Sequence, residues 1–209
     1  MFKLYYSPGA CSLAPHIVLE EIREPFDIEL VSSMDGSTST AEYLKINPKG
    51  RVPVLDIGES VITEVSAILT YLALTYPKSE LLENTPVGLA RAIEWMNWLT
   101  GIHSSVIAQN WRVERFSNNP SAHKDIQVKG MENLIEVCGQ IDTKLRNLKW
   151  AVGEKYSIVD PYLLVFFRWG NRLGLDMKEY LHWTKHAKLV EQRKAVQSVL
   201  KVENISIWN

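Results

Sequence analysis

Residues 5–16 read Tyr5-Tyr6-Ser7-Pro8-Gly9-Ala10-Cys11-Ser12-Leu13-Ala14-Pro15-His16, and the rest of the chain is read outward from them. The apolar run that leads in, residues 2–6, has the makings of a short strand. Ser7-Pro8-Gly9 supplies the residues that stop a strand and turn it. Beyond the lone Cys11, apolar residues recur at Leu13, Ile17, Val18 and Ile22, which is helical spacing. Pro15 falls in the first turn of that helix, where a missing N–H costs little. Phe26, Ile28 and Leu30 then alternate as in a second strand. Strand, helix, strand predicts a βαβ unit with a parallel pair. Cys11 thereby lies at or just before a helix N-terminus, where unsatisfied N–H groups and the helix dipole favour a thiolate. A free cysteine is also a common small core residue, and spacing alone leaves both readings open.

The totals bound the class. The chain has 209 residues, 46% of them hydrophobic and 22% charged, which fits one large globular domain or two small ones. A net charge of -1 provides no overall positive field for nucleic acid or anionic lipid. Two cysteines, Cys11 and Cys138, point to a reducing compartment rather than a disulfide framework. No leader-like apolar run opens the chain, and the longest such run, residues 162–167, is far too short to span a bilayer.

Beyond Leu30, residues 32–40 read as a polar surface loop and residues 41–46 as a short helix. Asn47-Pro48-Lys49-Gly50 is a turn. Residues 52–56 read as a strand carrying Pro53, paired as a hairpin with Val61-Ile62 across Gly58. Residues 63–76 form a helix that is apolar on most sides and should be sandwiched. The polar, proline-bracketed residues 77–86 are the best boundary, dividing 1–77 from an all-helical 87–209. There Leu89, Ile93, Met96, Leu99, Ile102 and Val106 form one stripe, and Val128 through Leu148, with Cys138 inside it, a second. Ser157 and Asp160 form a capping pair ahead of a helix that is apolar all round. Residues 189–200 read as one last amphipathic helix, followed by a tail.

The plan resembles that of the glutathione transferases, and most closely the bacterial beta class. The segments that carry the resemblance are YYSPGACSLAPHI, INPKGRVPVL at 46–55, ITEVSAILTYLA at 62–73, IEWMNWL at 93–99, YSIVDPYL at 156–163 and the Arg168-Trp169 pair. The resemblance implies a thioredoxin-like α/β N-terminal domain plus an all-α C-terminal domain, with a cis peptide before Pro53. It implies that glutathione, as co-substrate, pairs with the backbone of Val52 and places its γ-glutamyl end at Glu64 and Val65. Its sulfur would lie near Cys11, with a hydroxyl from Tyr5, the closer match, or from Tyr6; strand alternation lets only one of them face the site. Asn97 matches within EWMNWL. Either His103 or, in an ungapped alignment, Ser104 would face the thiol. A cytoplasmic homodimer follows from the same resemblance, with no metal, nucleic acid or membrane.

Three departures stand out. Val65 replaces a usual Ser or Gly. The loop at 34–40 lacks a lysine, and serine follows the helix histidine where a lysine is usual. Fewer cations predict weaker glutathione binding. Trp111, Arg112 and Arg115 read as a solvated helix end rather than as a pocket rim. The leading expectation is conjugation of glutathione to small hydrophobic electrophiles in detoxification. A single-cysteine thiol-transferase or reductase fits the same residues, because Ala14 leaves no CxxC. A non-catalytic binding protein on this fold is the third reading.

Overall fold

The computed structural model describes residues 1–32 and 34–209, so Ser33 of the predicted polar loop lies outside the described residues. The first half carries β1 (Phe2–Tyr6), α1 (Leu13–Ile22), β2 (Phe26–Leu30), α2 (Ala41–Ile46), β3 (Val54–Asp56), β4 (Val61–Thr63) and α3 (Val65–Thr75). The strands form one mixed sheet in the order β2-β1-β3-β4. β1 and β2 run parallel, Phe2 opposite Phe26, as the βαβ pattern predicts. β3 is antiparallel to β1 and forms the expected hairpin with β4. β3 begins only after Pro53, so the missing proline N–H falls outside the ladder of an inner strand. β2 is an edge strand, which leaves Ile28 and Leu30 exposed despite their alternation.

The second half is helical: α4 (Pro86–Ile102), a π-helical turn (His103–Ile107), α5 (Ala108–Trp111), α6 (Pro120–Leu145), α7 (Val159–Arg172), α8 (Leu181–Glu191) and α9 (Lys194–Val202). Every residue of α7 from Val159 to Gly170 is buried, as an all-round apolar helix requires. Its start is held by the predicted pair. Asp160 Oδ2 accepts from the Ser157 N–H at 2.6 Å and from Ser157 Oγ at 3.0 Å. α1 lies between the sheet and the helical half, so all of Leu13 through Leu19 is buried. One continuous core runs from Leu4 through α1, α3, α4 and α7 to Ile207. Among the described residues, no helix is long and apolar enough to cross a membrane.

Three sequence expectations change. The predicted last helix is two, broken at Gln192-Arg193. No Gly or Pro marks the break. It places the Arg193 guanidinium on both Glu21 oxygens, at 2.5 and 2.9 Å, and 3.7 Å above the Tyr156 ring. In α4 the buried stripe runs through Ala92, Trp95, Met96 and Leu99, so Ile93 is exposed; on α6 Val128 and Ile135 are exposed likewise. α3 buries Val65, Ile68, Leu69, Leu72 and Ala73 but leaves Ala67 and Leu74 open, and is not sandwiched within one chain.

Candidate active site

β1 feeds a turn that is tied to itself and to the far end of the chain. Ser12 Oγ accepts from the Ser7 N–H and donates to the Ser7 carbonyl, both at 3.1 Å. Gly9 takes φ +67°, a left-handed conformation that glycine adopts without steric penalty. Its N–H donates to Glu203 Oε2 at 2.7 Å, just beyond α9, and its carbonyl accepts from Arg168 Nη1 at 3.2 Å and Trp169 Nε1 at 3.0 Å. The other Glu203 oxygen meets His16 Nδ1 of α1 at 2.7 Å. The helical half therefore grips both polar atoms of Gly9, two residues from the cysteine.

Cys11 stands one residue before the Ser12 N-cap, as predicted. Its S–H donates to the Val52 carbonyl at 3.4 Å, across from the cis Val52–Pro53 peptide. The thiol is 7% exposed, and burial pushes it up to about 12, with the Glu64 carboxylate adding to the rise. The N–H groups of Cys11 and Ser12 pull the other way and do not prevail. The expectation that the helix start favours a thiolate is thus overturned for the sulfur of Cys11, because desolvation outweighs the backbone donors. Near neutral pH Cys11 is a thiol and a hydrogen-bond donor.

Glu64 caps α3 with φ 70° and ψ 128°, rare backbone for a non-glycine residue and one that costs about 1–3 kcal/mol. Its carboxylate pairs with Lys49, which also donates to Thr63 Oγ1 at 2.8 Å. Both partners are roughly half exposed, so the pair contributes at most about 1 kcal/mol and another ammonium can displace Lys49 cheaply.

A cavity of about 330 Å³ opens between the two halves. It brings together Cys11, Val52 and His103 of the predicted residues. Its wall does not include Tyr5, Pro53, Glu64, Val65, Asn97 or Ser104. Tyr5 packs 5.9 Å from Tyr43 in a separate small cluster with Val31 and Val54. Tyr6 points into the main core against His16. Alternation sends the two rings to opposite faces of the sheet, and the lining begins one residue later, at Ser7. The Cys11 sulfur hydrogen-bonds the Val52 carbonyl instead. Val65 is buried in the first turn of α3, and Asn97 is exposed on α4. Ser104 is exposed and donates to the Thr100 and Gly101 carbonyls at 3.1 Å.

The π-helical turn decides between His103 and Ser104: it is His103 that lines the cavity, its ring 4.9 Å from that of Trp169. Burial, with Arg51 and Arg115 beside it, lowers His103 to about 4. An unfolded histidine titrates near 6.5. Between those values the unfolded chain binds more protons, so stability should fall as pH drops from about 6.5 towards 4, by up to about 1.4 kcal/mol per pH unit. Urea titrations of the wild type and of His103→Gln across that window should differ by this slope.

Trp111, Arg112 and Arg115 line the same cavity and are not merely a solvated helix end. Residues 9–75 match the glutathione S-transferase N-terminal domain family, and residues 104–194 match the C-terminal domain family. The glutathione S-transferase GstA of Escherichia coli O157:H7 is 30% identical, over 97% of this chain and 99% of its own length. The chain belongs to the glutathione S-transferase family. A glutathione transferase homologue from Sulfitobacter, solved with bound glutathione, superposes with a TM-score of 0.93 at 28% identity, covering 98% of this chain and 99% of the other. The beta class glutathione S-transferase of Sphingomonas chungbukensis superposes at 0.82 with 29% identity, covering 98% and 100%.

Within this glutathione S-transferase fold, sequence reasoning missed Arg51 and Arg172, which line the cavity, and His16 and Glu203, which hold the turn beside it. Arg51 directly precedes the Val52-Pro53 motif, which was a usable signal. Glu203 lies in the last turns of the chain, and nothing local marks it as a partner of Gly9.

Proposed function

We propose that the chain is a glutathione transferase that conjugates the glutathione thiolate to small electrophiles. The observation that carries this reading is the cavity wall where Cys11 donates to the Val52 carbonyl beside the cis Val52–Pro53 peptide. There the tripeptide would lie against Val52 in strand fashion, through main-chain groups. Its ammonium would take the place of Lys49 on Glu64. Cys11, held as a thiol, would turn its S–H from the Val52 carbonyl to the glutathione sulfur and stabilise that sulfur as the thiolate. Arg51, on the Val52 side of the cavity, would supply a cation that the missing lysines do not. The sulfur then attacks the electrophile, a carbon–sulfur bond forms and the leaving group departs with its electron pair.

Residues 1–77 would bind glutathione and residues 87–209 the electrophile. A homodimer is supported by the apolar surface of α3, where Leu74 is 60% exposed. Two free cysteines fit a cytoplasmic protein.

The test is retention on glutathione resin together with conjugation of an aromatic chloride. Cys11→Ala should lower kcat/KM by roughly 10- to 100-fold, the worth of one hydrogen bond to a charged sulfur. No retention and no rate above background would instead favour a non-catalytic binding protein. Because Cys11 is in the cavity wall, single-thiol exchange is a second reading. In it Cys11 first gives up its proton to solvent, and its thiolate attacks a glutathione disulfide and expels one glutathione thiolate. A second glutathione thiolate then frees the cysteine and re-forms the disulfide. The raised pKa of the Cys11 thiol makes this the slower route. Reversible glutathionylation of Cys11 seen by mass spectrometry, speeding up with rising pH and with little conjugation, would select that reading.

A further inference from the structure

The cavity wall is lopsided in charge. Arg51 enters from the turn ahead of Val52, Arg112 and Arg115 from beyond α5, and Arg168 and Arg172 from α7. Among the described residues, no aspartate or glutamate lines it. The whole chain carries a net charge of -1, so the positive field is local to this cleft. Apolar walls concentrate such a field. Arg168 donates to the Gly9 and Ser206 carbonyls, and Arg112 Nη1 donates to the Trp111 carbonyl at 3.0 Å. Arg115 is held below the usual guanidinium range by burial and by Arg51 and Arg112, so these three charges crowd one another.

The arginines come from different walls of the cavity, although their charges meet. Arg51 belongs to the Val52 ledge, where the tripeptide would lie. Arg112 and Arg115 belong to the helical side, together with an aromatic wall. The Trp111 ring meets that of Trp169 edge-on at 5.7 Å, and Trp169 leans on His103. Aromatic faces beside paired guanidiniums recognise a flat apolar body that ends in an anion.

We infer that the electrophile is itself an anion: a flat aromatic or conjugated compound bearing a carboxylate or sulfonate, its body against Trp111 and Trp169 and its charge on Arg112 and Arg115. This rests on the transferase reading above. With an aryl chloride, the glutathione sulfur bonds to the ring carbon and chloride leaves with the bonding pair, while the ring carboxylate is unchanged. The neutral hydrophobic electrophiles expected from the family resemblance become the poorer substrates.

The experiment titrates the full chain with three ligands, read by quenching of tryptophan fluorescence: glutathione, S-dinitrophenyl-glutathione, and the same conjugate carrying a ring carboxylate. The carboxylated conjugate should bind about 10-fold more tightly than the neutral one, the scale of one charge-assisted contact. That preference should shrink with added salt. It should fall several-fold in Arg112→Gln and in Arg115→Gln. Equal affinities in the wild type, or a preference untouched in both variants, overturn the inference. Binding of glutathione without the preference sinks only the anionic electrophile. A preference without any binding of glutathione upholds the anion site and sinks the transferase reading.

Discussion

Asp160→Ala should destabilise the chain by about 3–5 kcal/mol, the cost of removing one partner from a buried polar cluster. Asp160 is fully buried at the start of α7. One of its oxygens accepts from the Ala151 N–H at 2.8 Å and from His186 Nε2 at 2.7 Å. The other accepts from the Ser157 N–H and hydroxyl. Alanine leaves three buried N–H groups without an acceptor, each at roughly 1–3 kcal/mol before relaxation. It also removes a carboxylate from a helix N-terminus, where the dipole favours one. Among the described residues His186 Nδ1 already has no hydrogen-bond partner, so the ring has no second bond to fall back on. Urea unfolding should show a lower midpoint with an unchanged slope. Asp160→Asn keeps the shape and one acceptor, and should cost about half as much. A loss below about 1 kcal/mol for the alanine variant would mean that α7 is anchored by its apolar packing alone.

Glu203→Ala should cost about 3 kcal/mol and raise the KM for glutathione, though Glu203 does not line the cavity. Its two oxygens are the buried acceptors for the Gly9 N–H and His16 Nδ1. Both of those groups would be stranded, because His16 is 2% exposed and Glu203 4%. The Gly9 carbonyl keeps Arg168 and Trp169, so the turn would be held from one side only. Cys11 is two residues away, and small displacements of a reacting geometry are expensive. Glu203→Gln still offers Gly9 an oxygen and should recover most of the activity. If the alanine variant, assayed well below its melting temperature, keeps the wild-type KM for glutathione, Glu203 is structural and does not position the turn.

Much of this was legible in the sequence. Residues 2–6, the Ser-Pro-Gly turn and the helical spacing after Cys11 predict β1, the turn and α1 in their observed places. Ser157 and Asp160 predict the capped start of α7. These patterns are local: each depends on residues within about one helical turn or one strand repeat. The failures have a different origin. Ile93, Val128 and Ile135 carry the right period, yet the opposing elements that would bury them are not in the sequence pattern. The break at Gln192-Arg193 answers to Glu21, on another helix, rather than to a helix-breaking residue. The π-helical turn that chooses His103 over Ser104 has no composition signal.

By itself the sequence determined β1, the turn and α1, the division into a mixed sheet half and a helical half, and, through its motifs, the family plan. The elements follow from short-range pattern and steric preference, and the family plan from the resemblance that those motifs carry. Only the tertiary structure decided that Cys11 is a protonated donor, that Tyr5 faces away, that Glu203 and Arg168 hold Gly9, and that arginines crowd one side of the cavity. The physical reason is that desolvation and electrostatic coupling depend on what lies across space. Residues as far apart as Gly9 and Glu203 acquire that relation only when the chain has folded.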